Sequence, residues 1–136
     1  MKQKEFTLRH PLGFTISKSL TEREISSVFH FQKDDMGNGY VWYRIPKTEI
    51  LGKSLNFSLC FHDGILEFVS FCVVVPELYN KSWDDWSEEK EKLCAKHTGD
   101  WLVSNGYKIG KFSWGEIWVG YDSKGGSGHG SVRYNS

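Results

Sequence analysis

The stretch SLNFSLCFHDGILEFVSFCVVV, residues 54 to 75, decides the fold. Leu55, Phe57, Leu59 and Phe61 share one parity, and along a strand one parity is one face. Asp63-Gly64 then supplies a dipeptide suited to the positive φ angles of a tight hairpin turn. Beyond it the chain is almost continuously apolar through Val75. That pattern predicts a strand buried on both faces and central in its sheet.

Upstream, KEFTLRH and GFTIS alternate apolar and polar residues around Pro11-Leu12-Gly13, which predicts an N-terminal hairpin. Thr21 with Glu24 is a capping-box pair, so a short helix is expected at about 21–28. DDMGNG breaks the chain, and YVWYRI follows as a strand ending at Pro46, whose missing N–H interrupts a ladder. Downstream, SWDDWSEEKEKLCAKHTGDWLVSNGY predicts the main helix, at about 83–105. Ser82 or Asp84 can cap it, Glu88 and Glu89 complement the positive end of its dipole, and Asn105-Gly106 stops it. Trp86, Leu93, His97 and Trp101, with Cys94 and Leu102 beside them, form the stripe expected to face a sheet. Gly99 inside it costs about 1 kcal/mol against alanine and marks close packing or a bend. KFSWGEIWVGYD and GSVRYN complete the set as strands. Mostly hairpin connections and one long helix predict a single α+β domain over 1–136, a mainly antiparallel sheet with that helix on one face.

Composition narrows the function classes. Seventeen basic and seventeen acidic residues cancel, so the broad positive field that draws a chain to nucleic acid or an anionic membrane is missing. Three cysteines, Cys60, Cys72 and Cys94, without CxxC spacing read as reduced core residues of a cytosolic protein. A Cys60–Cys72 bridge is open to them if their strands pair. The N-terminus MKQKEFTLRHPLGF is basic but has no apolar core of a signal peptide, and no run approaches the ~18 apolar residues of a membrane helix. The expected location is the cytoplasm, with no membrane partner. Six Trp, six Tyr and nine Phe exceed what a small core absorbs, which predicts a partly exposed aromatic surface.

WGEIWVGYDSKGGSGHGSVRY, residues 114 to 134, has the glycines and lysine of a phosphate loop but not its order. Such a loop places its lysine after the glycines and runs into a helix whose N-terminus holds the phosphate. Here Lys124 precedes Gly125-Gly126 and a strand pattern follows, so a hairpin connection is expected. The five histidines, His10, His30, His62, His97 and His129, are scattered without metal-ligand spacing, and neither metal nor cofactor is expected. His97, with Glu91, Asp100 and Asp122 as acidic neighbours, is the one candidate general base. The plainer reading is a hydrogen-bonded histidine at the edge of the core.

Asp84, Asp85, Glu88, Glu89 and Glu91 surround Trp83 and Trp86 at the start of the main helix. They cap the helix and complement its dipole, or they form an acidic, aromatic surface for a basic partner. Trp114, Glu116 and Trp118 share a parity opposite Ile117 and Val119, which look inward, so the two tryptophans either pack under another element or form a binding platform. The candidate partner-binding set is therefore Trp83, Asp84, Asp85, Glu88, Trp114, Glu116 and Trp118. A single-strand nucleic-acid binder would also use aromatic strands, with a basic groove built from Arg9, Lys108, Lys111, Lys124 and Arg133. Zero net charge disfavours it.

The run Trp83-Asp84-Asp85-Trp86-Ser87-Glu88-Glu89, then His97, Trp101-Leu102, Phe112-x-Trp114-Gly115-x-Ile117, Tyr121-Asp122-x-Lys124-Gly125-Gly126 and Arg133-Tyr134, resembles a widespread family of small uncharacterised bacterial cytosolic proteins. Around Gly128-His129-Gly130 the chain is more glycine-rich than that pattern. The resemblance transfers no catalytic residue. In general type it is similar to immunity proteins that neutralise bacterial toxins. It implies a non-enzymatic module that occludes a protein partner and needs no cofactor. The alternatives are a small enzyme using His97 and a single-stranded nucleic-acid binder.

Overall fold

A computed structural model describes residues 5–75 and 87–135. In chain order, β1 (Leu8–His10) and β2 (Phe14–Ile16) form a hairpin, followed by α1 (Glu22–Ser26). Four strands come next: β3 (Gln32–Asp35), β4 (Tyr40–Ile50), β5 (Lys53–His62) and β6 (Ile65–Val73). After α2 (Glu88–Ser104), the chain ends in β7 (Gly110–Phe112), β8 (Gly115–Asp122) and β9 (Ser127–Tyr134). Apart from the β1–β2 pair, the strands form one seven-stranded sheet in the order β3-β4-β5-β6-β9-β8-β7, antiparallel throughout. This is the α+β architecture that the sequence predicts.

The hairpin at 54–75 forms as read. Asp63 (φ 51°) and Gly64 (φ 85°) both lie in the left-handed region, and the two-residue turn sets Phe57 opposite Phe71 and Leu59 opposite Val69. β6 occupies the middle of the sheet. Burial on both of its faces does not follow, however. Leu66, Val69, Phe71 and Val73 are buried, while Phe68, Ser70 and Cys72 are only half-buried. Among the described residues the covering layer lies against one side alone.

That layer has two parts. α2 packs across β6, β8 and β9, while the β1–β2 hairpin lies over β5 and β6, His10 against Phe57 at 6.1 Å and Phe6 against Phe71 at 6.0 Å. Polar atoms carried into this core find partners, as buried groups must. The Trp101 indole N–H donates to the Ile50 carbonyl (3.1 Å) and the Tyr134 hydroxyl to the Phe6 carbonyl (2.8 Å).

α2 starts at Glu88, not about 83, because Ser87 is extended (φ −152°) and its hydroxyl accepts the Lys90 N–H at 3.1 Å. Its end is as expected: Gly106 (φ 86°) follows Asn105, and the Tyr107 and Gly106 N–H groups donate to the Leu102 and Val103 carbonyls. The buried stripe is Cys94, Ala95, Thr98, Trp101 and Leu102, which corrects the stripe through Leu93 and His97. Leu93 is exposed and His97 half-buried on its flank. Thr98, wholly buried, donates to the Cys94 carbonyl (2.8 Å) and accepts the Val73 N–H (3.0 Å), so it terminates the β6 ladder where β9 no longer pairs. α1 is one turn shorter than predicted, but its Thr21–Glu24 cap forms, with the Glu24 N–H 3.3 Å from the Thr21 hydroxyl.

Three further local expectations change. β4 continues through Pro46, because pairing jumps from Ile45↔Phe57 to Thr48↔Leu55 and the bulge accommodates the missing N–H. KFSWGEIWVGYD is two strands, with Ser113-Trp114 as the turn between β7 and β8. Cys60 faces Phe68 across the sheet and Cys72 faces Asn56, so these two thiols do not meet, and none of the three cysteines is in a disulfide.

The glycine-rich tail is explained by packing. At Gly128 a Cβ would overlap the Glu91 carbonyl of α2, and at Gly130 it would sit 2.9 Å from the Phe71 ring and 3.1 Å from Thr98. These two positions let the helix close directly onto β9.

Candidate functional site: the uncovered sheet face

The face opposite α2 has no covering element among the described residues, and its side chains can be read in rows across the ladder. One row runs through every strand: Asp34, Trp42, Cys60, Phe68, Arg133, Glu116 and Lys111 are successive cross-strand partners. The row beside it is Gln32, Arg44, Ser58, Ser70, Ser131 and Trp118. Small hydroxyl residues therefore line the middle of the face, between an arginine and a tryptophan. Over the β3–β6 half lies an open groove of about 1020 Å³, bordered by Trp42, Arg44, Ser58, Phe68, Ser70 and Met36.

Electrostatically the face is mixed. Arg44 lies 3.4 Å from Asp34. The Arg133 guanidinium sits 5.0 Å over the Phe68 ring, a cation–π contact, and Trp42 meets the same ring edge-on at 5.9 Å. Trp118 is 37% exposed and leans on His129 at 5.3 Å. Towards the β5–β6 turn, His62 stacks on Tyr40 at 4.1 Å, and its Nδ1 lies 3.4 Å from the Glu67 carboxylate without hydrogen-bond alignment. Cys60 is nearly sealed, and burial, with the Glu67 charge second, pushes its thiol pKa up against a smaller opposing pull from Arg133. A thiol held protonated is a poor nucleophile.

The residues singled out from the sequence are dispersed. Glu116 and Trp118 lie on this face. Trp114 does not: it occupies the β7–β8 turn, 6% exposed, stacked on Phe112 at 5.5 Å and tilted against Tyr134. The strand parity that joined it to Glu116 fails because Gly115 begins the new strand. Glu88 heads α2 on the opposite side and pairs with Lys92 at 3.1 Å. Trp83, Asp84 and Asp85, with Trp86, lie outside the described residues. Glu91 accepts the Gly128 N–H at 3.0 Å and so ties α2 to β9.

Among the described residues His97 forms no hydrogen bond or ion pair, so none of their carboxylates orients it as a general base needs. The 122–127 segment is a hairpin loop, closed by the Gly126 N–H on the Asp122 carbonyl (2.8 Å), and it enters β9 rather than a helix. That removes the phosphate-loop arrangement. Among the described residues no three His, Cys, Asp or Glu side chains converge as metal ligands, and no helix is long and apolar enough to cross a membrane.

Sequence reading missed Trp42, Arg44, Phe68 and Ser70, and assigned Arg133 to a basic groove rather than to this face. A signal existed in the alternation Phe57-Ser58-Leu59 and Val69-Ser70-Phe71, which already gives one polar face. The apolar density of β6 masked it. Comparisons of the chain with family models, with curated proteins and with solved structures found no match.

Proposed function

We propose that the chain is a non-enzymatic, cytoplasmic protein-binding module of the immunity type, which neutralises a toxin by occluding it. The observation that carries this reading is the uncovered sheet face, on which aromatic rings and charges of both signs stand around a row of serines. Such a surface suits a folded protein: Trp and Arg are the residues that anchor interfaces, and small side chains between them let a partner approach closely. Acidic and basic groups occur there together, so the steep basic potential of a nucleic-acid groove is missing. In this reading Glu116 and Trp118 contact the partner together with Trp42, Phe68 and Arg133.

The test is co-expression of the tagged chain with the product of the adjacent reading frame, followed by capture and mass spectrometry. A stoichiometric complex that rescues growth from that product, and that Trp118→Ala and Arg133→Glu both weaken, is the expected result. Rescue that survives both substitutions, or a product with which no complex forms, rejects the reading.

A further inference from the structure

We propose that, before it meets another partner, the uncovered face is occupied by a second copy of this chain, related by a two-fold axis that runs along β6. This inference rests on the reading of that face as a docking surface and names its resting occupant. The axis lies between the two sheets, parallel to the strands, and reverses the strand order of one copy over the other. β3 then lies over β7 of the second copy, β4 over β8, β5 over β9, and β6 over itself.

The two cross-strand rows are complementary under that operation. Asp34, at the β3 end of its row, falls opposite Lys111 at the β7 end, an acid against a base. Arg44 falls opposite Trp118, a cation over an indole. Ser58 meets Ser131, and Phe68 and Ser70, on the axis, each meet their own copies. No two like charges of these rows coincide. The other in-plane axis, perpendicular to the strands, exchanges the rows and leaves each strand over itself, so Asp34 meets Gln32 and Lys111 finds no carboxylate. Charge complementarity selects the first axis.

Size agrees. With strands about 4.8 Å apart and a rise of about 3.3 Å per residue, seven strands averaging about eight residues cover roughly 900 Å². A standard stable interface takes ~800 Å² from each partner. Isologous pairing of one patch with itself is also the commonest form of homo-oligomer, and aligned face-to-face sheets are a standard packing.

Sedimentation velocity and light scattering across a dilution series test the proposal, with circular dichroism to establish that each variant is folded. The wild-type chain is expected to be a dimer. Asp34→Lys and Lys111→Asp, each alone, set like charges opposite one another and weaken the dimer by roughly tenfold or more. The double exchange restores it. Ser70→Arg places two guanidinium groups on the axis and yields a monomer. A dimer indifferent to Ser70→Arg, or a double exchange no better than the single changes, overturns this geometry. A monomeric wild type whose capture by the adjacent product is abolished by Ser70→Arg overturns the dimer and leaves the docking face intact. A monomeric wild type captured equally well with Ser70→Arg overturns both.

Discussion

Phe68 and Phe71 stand three residues apart on the same strand and meet opposite environments. Phe71 is 2% exposed, stacked on Phe57 at 5.3 Å and on Phe6 at 6.0 Å. Phe68 is half-buried and carries the guanidinium of Arg133. Equal hydrophobicity has given a core anchor on one face and part of the proposed docking surface on the other. What separates them is the layer above each: α2 and the β1–β2 hairpin cover one side, and no described element covers the other.

The sharpest way to break this comparison is to truncate both rings. Phe71→Ala is expected to lose about 3–5 kcal/mol of unfolding free energy, the usual cost of emptying a packed aromatic site. Denaturant titration of Phe71→Ala and Phe68→Ala side by side measures the contrast. Comparable losses would mean that the two faces are equally buried in solution.

Gly128→Ala probes how tightly the covering layer sits. The new methyl overlaps the Glu91 carbonyl, so α2 must shift, and a loss of about 1–3 kcal/mol is expected. A neutral result in the same titration would place the helix farther from β9.

His10 sharpens the comparison through pH. It is 1% exposed, stacked on Phe14 at 4.6 Å, and its Nδ1 accepts the Leu12 N–H at 3.1 Å, while Nε2 has no partner among the described residues. Burial lowers its pKa from the ordinary 6.5. The unfolded chain therefore binds the proton more readily than the native state. Stability is held above pH 6.5 and falls as pH drops from there towards the folded pKa. Thermal unfolding of His10→Phe should show a flatter dependence across that window than wild type; an identical slope would mean that His10 is not buried neutral.

The smallest stability effect is expected on the open face. Trp118→Ala should change the unfolding free energy by less than about 1 kcal/mol, as substitutions of partly exposed side chains do, while weakening association. Denaturant titration beside the sedimentation series separates the two. A large stability loss would move Trp118 into the core and shrink the proposed surface.

How legible the molecule was depended on range. The Asp63-Gly64 turn, the Thr21–Glu24 cap and the Asn105-Gly106 stop were readable because each is set by residues a few positions apart. Only a part of the uncovered face was readable: Glu116 and Trp118 follow from alternation along one strand. Trp114 was not, since a two-residue turn resets the parity that connects it to Glu116. Nor was Ser87 as the cap of α2, with several candidate capping residues in succession.

By itself, then, the sequence determined the hairpins, the helix stops, the antiparallel order around residues 54–75 and the α+β class, because local backbone chemistry and alternation suffice for these. Only the tertiary structure decided which face of β6 is covered, that Gly128 and Gly130 let α2 close onto β9, and that Trp42, Phe68 and Arg133 stand together. Those outcomes depend on which layer packs on which side and on register between strands distant in the chain. Neither quantity is written in any single stretch of residues.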